Sequence, residues 1–264
     1  MNFGLHVANI GTYSDPRSVV RLAQAAEASG WDALFVWDHL AFVWDVPSAD
    51  PWVTLAAVAS STDRILVGTG VTPVPRRRPH VLAHEIATLA TMSSGRFVFG
   101  AGLGGVEREF GSFGEPVGAR ERGAMLDEGL EVIQALLGGE RVSHHGHHYR
   151  VDDVVLHTAP ERNVPIWLGG GSPRALERAA RFDGWFADSC DQERMTMSPD
   201  DVHAAVARIG REPGYDVAIE GYSEPGEREL AAAYASAGAT WWFEELHDRR
   251  GDPEAILARV TAGP

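Results

Sequence analysis

The chain has 264 residues, 44% hydrophobic and 23% charged, with a formal net charge of −14. This balance suits a soluble globular protein, and the acidic excess argues against duplex nucleic acid or an anionic membrane surface as a main partner. No run is long and apolar enough to span a bilayer, no signal peptide is visible ahead of the first strand pattern, and the lone Cys190 cannot form an intrachain disulfide, so a cytoplasmic location is expected.

Residues 3–8 read as a first strand, and Asp15-Pro16 as the start of a helix that stops near Gly30. Next comes Ala33-Leu34-Phe35-Val36-Trp37-Asp38-His39, an apolar run without alternation that ends in an acid and an imidazole. Such a run predicts a strand at 33–37 buried on both faces. Asp50-Pro51 opens a second helix, and residues 65–71 and 97–103 give two further strands. The first four strands begin at 3, 33, 65 and 97, the period of a βα unit. Leu126, Leu130, Ile133 and Leu137 form one apolar stripe at helical spacing. Residues 142–151 then predict a hairpin around Gly146, an insertion that breaks the rhythm. Strands at 165–169, 184–188, 217–221 and 240–244 follow, with capped helix starts at Ser172-Pro173, Ser198-Pro199 and Asp252-Pro253. The pattern predicts an α/β fold, a (β/α)8 TIM barrel forming one domain over 1–264, with a hairpin insertion after the fourth βα unit. An open doubly wound sheet is the alternative, weakened because no Gly-x-Gly-x-x-Gly follows the first strand.

A barrel of this kind builds its site at the C-terminal strand ends. Those ends carry Asn9, Asp38-His39, Gly70-Val71-Thr72, Gly102-Leu103-Gly104, Gly169-Gly170-Gly171-Ser172, Ser189, Glu220 and Glu244. Glycine there lets a flat or phosphorylated ligand approach the backbone closely. The run from Gly169 through Gly170, Gly171, Ser172 and Pro173 to Arg174 joins a strand to a helix N-terminus, which favours an anion such as phosphate. A plain βα turn is the other reading. Asp38 serves either a ligand or a helix cap, and His39 is either an acid–base group or a core histidine. Arg76-Arg77-Arg78 is either a solvated loop or a clamp for an acidic ligand tail. Trp44 and Trp52 either wall an aromatic ligand or pack in the core, and Trp241 and Trp242 read as core. His144, His145, His147 and His148 cluster at the predicted turn without a metal-ligand spacing, so no metal is expected there. His6 alone on the first strand does not suit a barrel metallohydrolase. All 23 basic residues are arginine, so Schiff-base chemistry on a lysine is excluded.

Taken together, residues 35–40, 50–62, Arg77-Arg78-Pro79, Ser94-Gly95-Arg96, 100–104, Glu109-Phe110 with Phe113-Gly114, Leu126-Asp127-Glu128, 165–170 and 238–242 resemble the bacterial luciferase-like superfamily of flavin- and deazaflavin-dependent oxidoreductases. The resemblance implies a flavin-type ring at the barrel mouth with its phosphate on the late βα loop. It implies ring binding by Asp38 and a substrate-facing or proton-handling role for His39. It also places a non-prolyl cis peptide at Gly70-Val71, behind the ring. Gly102, Gly104, Gly169, Gly170, Gly171, Ser172 and Arg174 are the remaining expected cofactor contacts. Some deazaflavin dehydrogenases carry a catalytic glutamate directly after the fourth strand. Here Gly104-Gly105 stand at that place, with Glu107 and Glu109 later.

The resemblance leaves two cofactors. Deazaflavin coenzyme F420 implies hydride transfer to or from a small organic substrate, and FMN implies monooxygenation. The Asp38-His39 pair leans toward F420. A non-catalytic flavin-binding barrel is a third reading. The expected partner is a small-molecule substrate, and a homodimer is possible on the family pattern.

Overall fold

The computed structural model describes residues 1–210, 213–224 and 226–264. Eight parallel strands close on themselves among these residues: β1 Asn2–Val7, β2 Ala33–Val36, β3 Leu66–Thr69, β4 Phe97–Gly102, β5 Ile166–Gly169, β6 Gly184–Ala187, β7 Asp216–Gly221 and β8 Trp241–Leu246. Each pairs with the next, and β8 pairs with β1, so the sheet has no open edge. The alternative of an open sheet is thereby excluded. A helix follows every strand: α1 Pro16–Ala28, α2 Pro51–Ser60, α3 Pro79–Met92, α4 Ala119–Leu137, α5 Pro173–Ala179, α6 Pro199–Ile209, α7 Arg228–Ala237 and α8 Pro253–Thr261.

The helix starts follow from local chemistry. Asp15, Asp50, Ser172, Ser198 and Asp252 each accept a backbone N–H with the side chain, and proline follows each. A cap of this kind contributes roughly 0.5–2 kcal/mol. The stripe on α4 buries Leu126, Leu130 and Ile133 against the barrel.

Two apolar layers hold the barrel. The larger lies between strands and helices, and includes Trp31, Trp185, Trp242 and Tyr234. The smaller fills the interior with Phe35, Trp167, Phe186, Trp241 and Phe243. Glycines on neighbouring strands make room for these rings. A Cβ on Gly184 would stand 2.5 Å from Trp167, and one on Gly4 would stand 2.4 Å from Phe243. Each buried aromatic contributes on the order of 1.5–3 kcal/mol. Trp52 also belongs to the core, with its ring 5.6 Å from Phe97 and 6.1 Å from Phe99.

The insertion is an antiparallel hairpin of Val142–His145 with Arg150–Val154. Its turn is organised from outside. The Glu128 carboxylate of α4 accepts the backbone N–H groups of His147, His148 and Tyr149. His144 pairs with Glu128 and His145 with Asp152, so the histidine cluster is engaged in hairpin contacts.

Strand ends differ from expectation at two places that matter. The third strand stops at Thr69, two residues early. The last runs on to Leu246, two residues past the predicted end. Glu244 faces the helix layer, held by Ser223, Arg250 and Arg259, and therefore does not end the strand in the mouth. Glu245 lines the mouth instead. No helix among the described residues is long and apolar enough to cross a membrane.

Candidate active site

The C-terminal strand ends surround a cavity of about 420 Å³. One side of it is mostly backbone: Gly70 and Val71 after β3, Gly102, Gly104 and Gly105 at the end of β4, and Gly169 and Gly170 at β5. The Gly70–Val71 peptide is cis. Val71 fits only because of two glycines. A Cβ on Gly102 would stand 2.4 Å from its side chain, and one on Gly169 would stand 2.8 Å away. A Cβ on Gly105 would meet nothing within 4 Å, so this wall is open to a flat ring lying on the backbone.

A second hollow of about 650 Å³ adjoins the first, and Leu103 lines both. Ser172 and Arg174 line this second hollow, together with Arg120, Arg178 and Arg181. Gly171 lines neither. The Ser172 hydroxyl accepts the Ala175 N–H and so caps α5, a helix of only seven residues. Anion attraction here therefore comes chiefly from the arginines. Arg178 is held by Asp127 at 2.6 and 2.8 Å, whereas Arg120 and Arg174 make no ion pair among the described residues.

Asp38 and His39 sit where the sequence puts them, but their partners were not foreseen. Asp38 is buried, and its two carboxylate oxygens accept from Arg76 at 2.7 Å and Arg77 at 2.9 Å. Arg76 also donates to Glu109 at 2.7 Å. Glu109 in turn accepts from His39 Nδ1 at 2.8 Å and from the Leu40 N–H at 3.0 Å. With Nδ1 so engaged, His39 Nε2 is left for the cavity, and Trp37 and Trp44 pack beside the ring. Neither a solvated loop nor a clamp for a ligand tail describes Arg76 and Arg77. Both are largely buried and serve as internal counter-charges, with Arg77 also lying over the Trp52 ring. Glu109 holds His39 and lines no part of the cavity, and Glu107 is exposed outside it.

The opposite wall carries a second cluster: the sequence places Glu220 at a strand end, but its pairing with His6 and the part played by Glu245 were not foreseen. His6 of β1 and Glu245 of β8 are register partners, and Glu220 comes from β7. His6 Nδ1 lies 2.6 Å from Glu245 and 2.9 Å from Glu220, while Nε2 donates to the Gly70 carbonyl at 2.7 Å. Burial alone would push the imidazole down, but the Glu245 and Glu220 carboxylates outweigh it and hold it up at about 10. Burial pushes the Glu220 carboxyl up; Glu245 and Asp188 add to this against the pull of His6, and it reaches about 7. Inward parity was the available signal, since Phe243 and Glu245 alternate on one face of β8. Cys190 also lines the cavity, but burial pushes its thiol up and keeps it protonated.

Comparison with known proteins agrees with this architecture. The family model described as luciferase-like monooxygenase matches residues 2–260. The chain is 38% identical over 177 residues to an F420-dependent hydroxymycolic acid dehydrogenase from Mycobacterium tuberculosis, covering 66% of this chain and 49% of that protein. It is 38% identical over 186 residues to an F420-dependent glucose-6-phosphate dehydrogenase from Nakamurella multipartita, covering 66% and 52%. The chain thus spans about half the length of these curated relatives. A solved F420-dependent secondary alcohol dehydrogenase, in complex with an F420-acetone adduct, shares the fold with a TM-score of 0.78 at 18% identity, covering 100% of this chain and 99% of that one. Through the match across residues 2–260, the chain belongs to the luciferase-like monooxygenase family.

Proposed function

We infer that this chain is an F420-dependent oxidoreductase that moves a hydride between the deazaflavin and a small organic substrate. The observation that carries the reading is the paired hollow: a glycine-lined slot beside a groove with four arginines, with Leu103 lining both. The slot suits a planar ring, and the groove suits a polyanionic tail, which F420 has and FMN lacks. The names of the 38% identical relatives support the same cofactor.

In this reading Gly70, Val71, Gly102, Gly104, Gly169 and Gly170 hold the ring, and Ser172, Arg174 and Arg120 face its anionic extension. Gly171 keeps the turn between them small. The bound deazaflavin supplies a hydride donor or acceptor. His39 Nε2 faces the substrate and gives or takes the accompanying proton, with Glu109 fixing the ring through Nδ1. Asp38 acts indirectly, because both its oxygens are held by arginine. It fixes Arg76, which fixes Glu109, and its contact with the ring is through its place in the cavity wall. Trp37 and Phe186 give the cavity an apolar lining, which disfavours water beside the reacting atoms.

Fluorescence titration of the purified protein with F420 and with FMN tests this. Saturable binding of F420 at least tenfold tighter than FMN is expected. Preference for FMN would overturn the cofactor, and binding of neither would overturn the function.

A further inference from the structure

Facing the glycine wall, the cavity is bounded by Asp188, Glu220 and Glu245, with His6 between the last two. No arginine lines this cavity among the described residues, and the chain has no lysine. Two carboxylates share one imidazole, so the cluster carries an excess of negative charge once pH rises above about 7, where the Glu220 carboxyl ionises while His6 stays protonated, and Asp188 adds to it. One oxygen of the wall is also unsatisfied. Glu245 is 3% exposed, and its Oε1 is buried without a hydrogen-bond partner. A buried carboxylate oxygen left unpaired is costly, and a donor arriving from the cavity would relieve that cost.

We propose that this wall is a binding site for a cationic nitrogen, the protonated amine or iminium group of the substrate, which donates to Glu245 Oε1 and is held by Glu220 and Asp188. An N–H cation supplies both missing elements, a donor and a positive charge. A phosphate or carboxylate would instead meet three carboxylates with no cation but the already shared His6. Glucose 6-phosphate, named for one of the relatives, is therefore a poor fit to this cavity. The inference rests on the hydride-transfer reading only in calling the ligand a substrate.

His6, Glu220 and Glu245 also suggest a metal site, since their ligand atoms lie within 4.8 Å of one another. The contacts argue otherwise. His6 Nδ1 is already at hydrogen-bond distance, 2.6 and 2.9 Å, from both carboxylates. Ligand atoms about 2.0–2.2 Å from a common ion sit farther apart than that. Because Nε2 donates to Gly70, the ring needs a proton on Nδ1 to face two carboxylates, and a protonated Nδ1 binds no metal. The high pKa of His6 agrees with that protonation state.

Calorimetric titration with three probes of one shape separates the alternatives: cyclohexylamine hydrochloride, cyclohexanol and sodium cyclohexanecarboxylate, at pH 8 and low salt, where Glu220 is ionised and the amine is still protonated. The amine is expected to bind at least tenfold more tightly than the alcohol, with no binding of the carboxylate. Glu245→Gln and Glu220→Gln should abolish the preference. Asp188→Asn, at an exposed position that folding tolerates, should reduce it severalfold. Carboxylate binding equal to the amine, a preference unchanged in all three variants, or no binding of any probe at tens of millimolar overturns the proposal. Tighter binding of Mn²⁺ alone, lost in His6→Ala, would assign the cluster to a metal and also overturn it. F420 titration of the same samples keeps the two readings apart. Loss of cofactor binding with the amine preference intact sinks the hydride-transfer function and leaves this site standing.

Discussion

Two buried ionic clusters sit at the same barrel mouth, and they are built differently. In the first, Asp38 and Glu109 face Arg76 and Arg77, so opposite charges balance, and every carboxylate oxygen has a partner. In the second, Glu220 and Glu245 share only His6, and one Glu245 oxygen has none. Removing one partner from a balanced buried pair leaves a bare charge, at a cost of roughly 3–5 kcal/mol. An unbalanced cluster has less to lose and is poised to receive something from outside. The first cluster is a scaffold that holds His39; the second is a surface prepared for a ligand.

The largest expected effect tests the scaffold. Asp38→Ala takes the buried counter-charge from Arg77 and one of two from Arg76, which keeps Glu109, and should destabilise the chain by about 3 kcal/mol, read as a lower denaturant midpoint. Glu245→Gln removes part of a charge excess and should change stability by no more than about 1 kcal/mol. Equal losses in the two variants would erase the distinction between the clusters.

Next is His39. With a turned-over substrate in hand, His39→Ala should lower kcat by about 10²–10⁴ while F420 affinity stays within severalfold. Unchanged kcat would remove the imidazole from the chemistry.

The second cluster has its own signature in pH. A group whose pKa is higher in the folded chain stabilises it fully below the unfolded pKa, and that stabilisation is lost as pH rises through the folded pKa. Glu220 moves from 4.5 to about 7 and His6 from 6.5 to about 10. Glu220→Gln should therefore gain stability relative to the unmodified chain as pH rises from about 4.5 to about 7. A difference that stays flat across that window would contradict the charge assignment. The smallest effect is at the arginine groove. Arg174→Ala should weaken F420 binding only a few-fold, because the side chain is exposed and its pairing is screened by salt.

The sequence makes the barrel legible because its strands are apolar runs at a regular interval and its helices start on capping residues before proline. Asp38 and His39 are legible as a site because polar groups at the end of a core strand stand out. The reach of Arg76 to Asp38 and Glu109 is not local, spanning 38 and 33 residues, so the arginine run carries no sign of its partners. The second cluster draws one residue from each of three strands, and His6 and Glu245 lie 239 residues apart. Only closure of the sheet makes them neighbours. Glu244 and Glu245 are indistinguishable as letters; which one faces inward depends on where the strand ends, and that depends on Arg250 and Arg259 holding Glu244 outside.

The most direct test of a mouth divided into a backbone wall for the ring and an acidic wall for the substrate is a crystal structure with F420 bound. The account predicts the ring against Val71 and Gly102, the anionic tail along Arg174 and Arg120, and open space before Glu220 and Glu245. A ring packed onto His6, Glu220 and Glu245, or a tail directed away from the arginines, would contradict it.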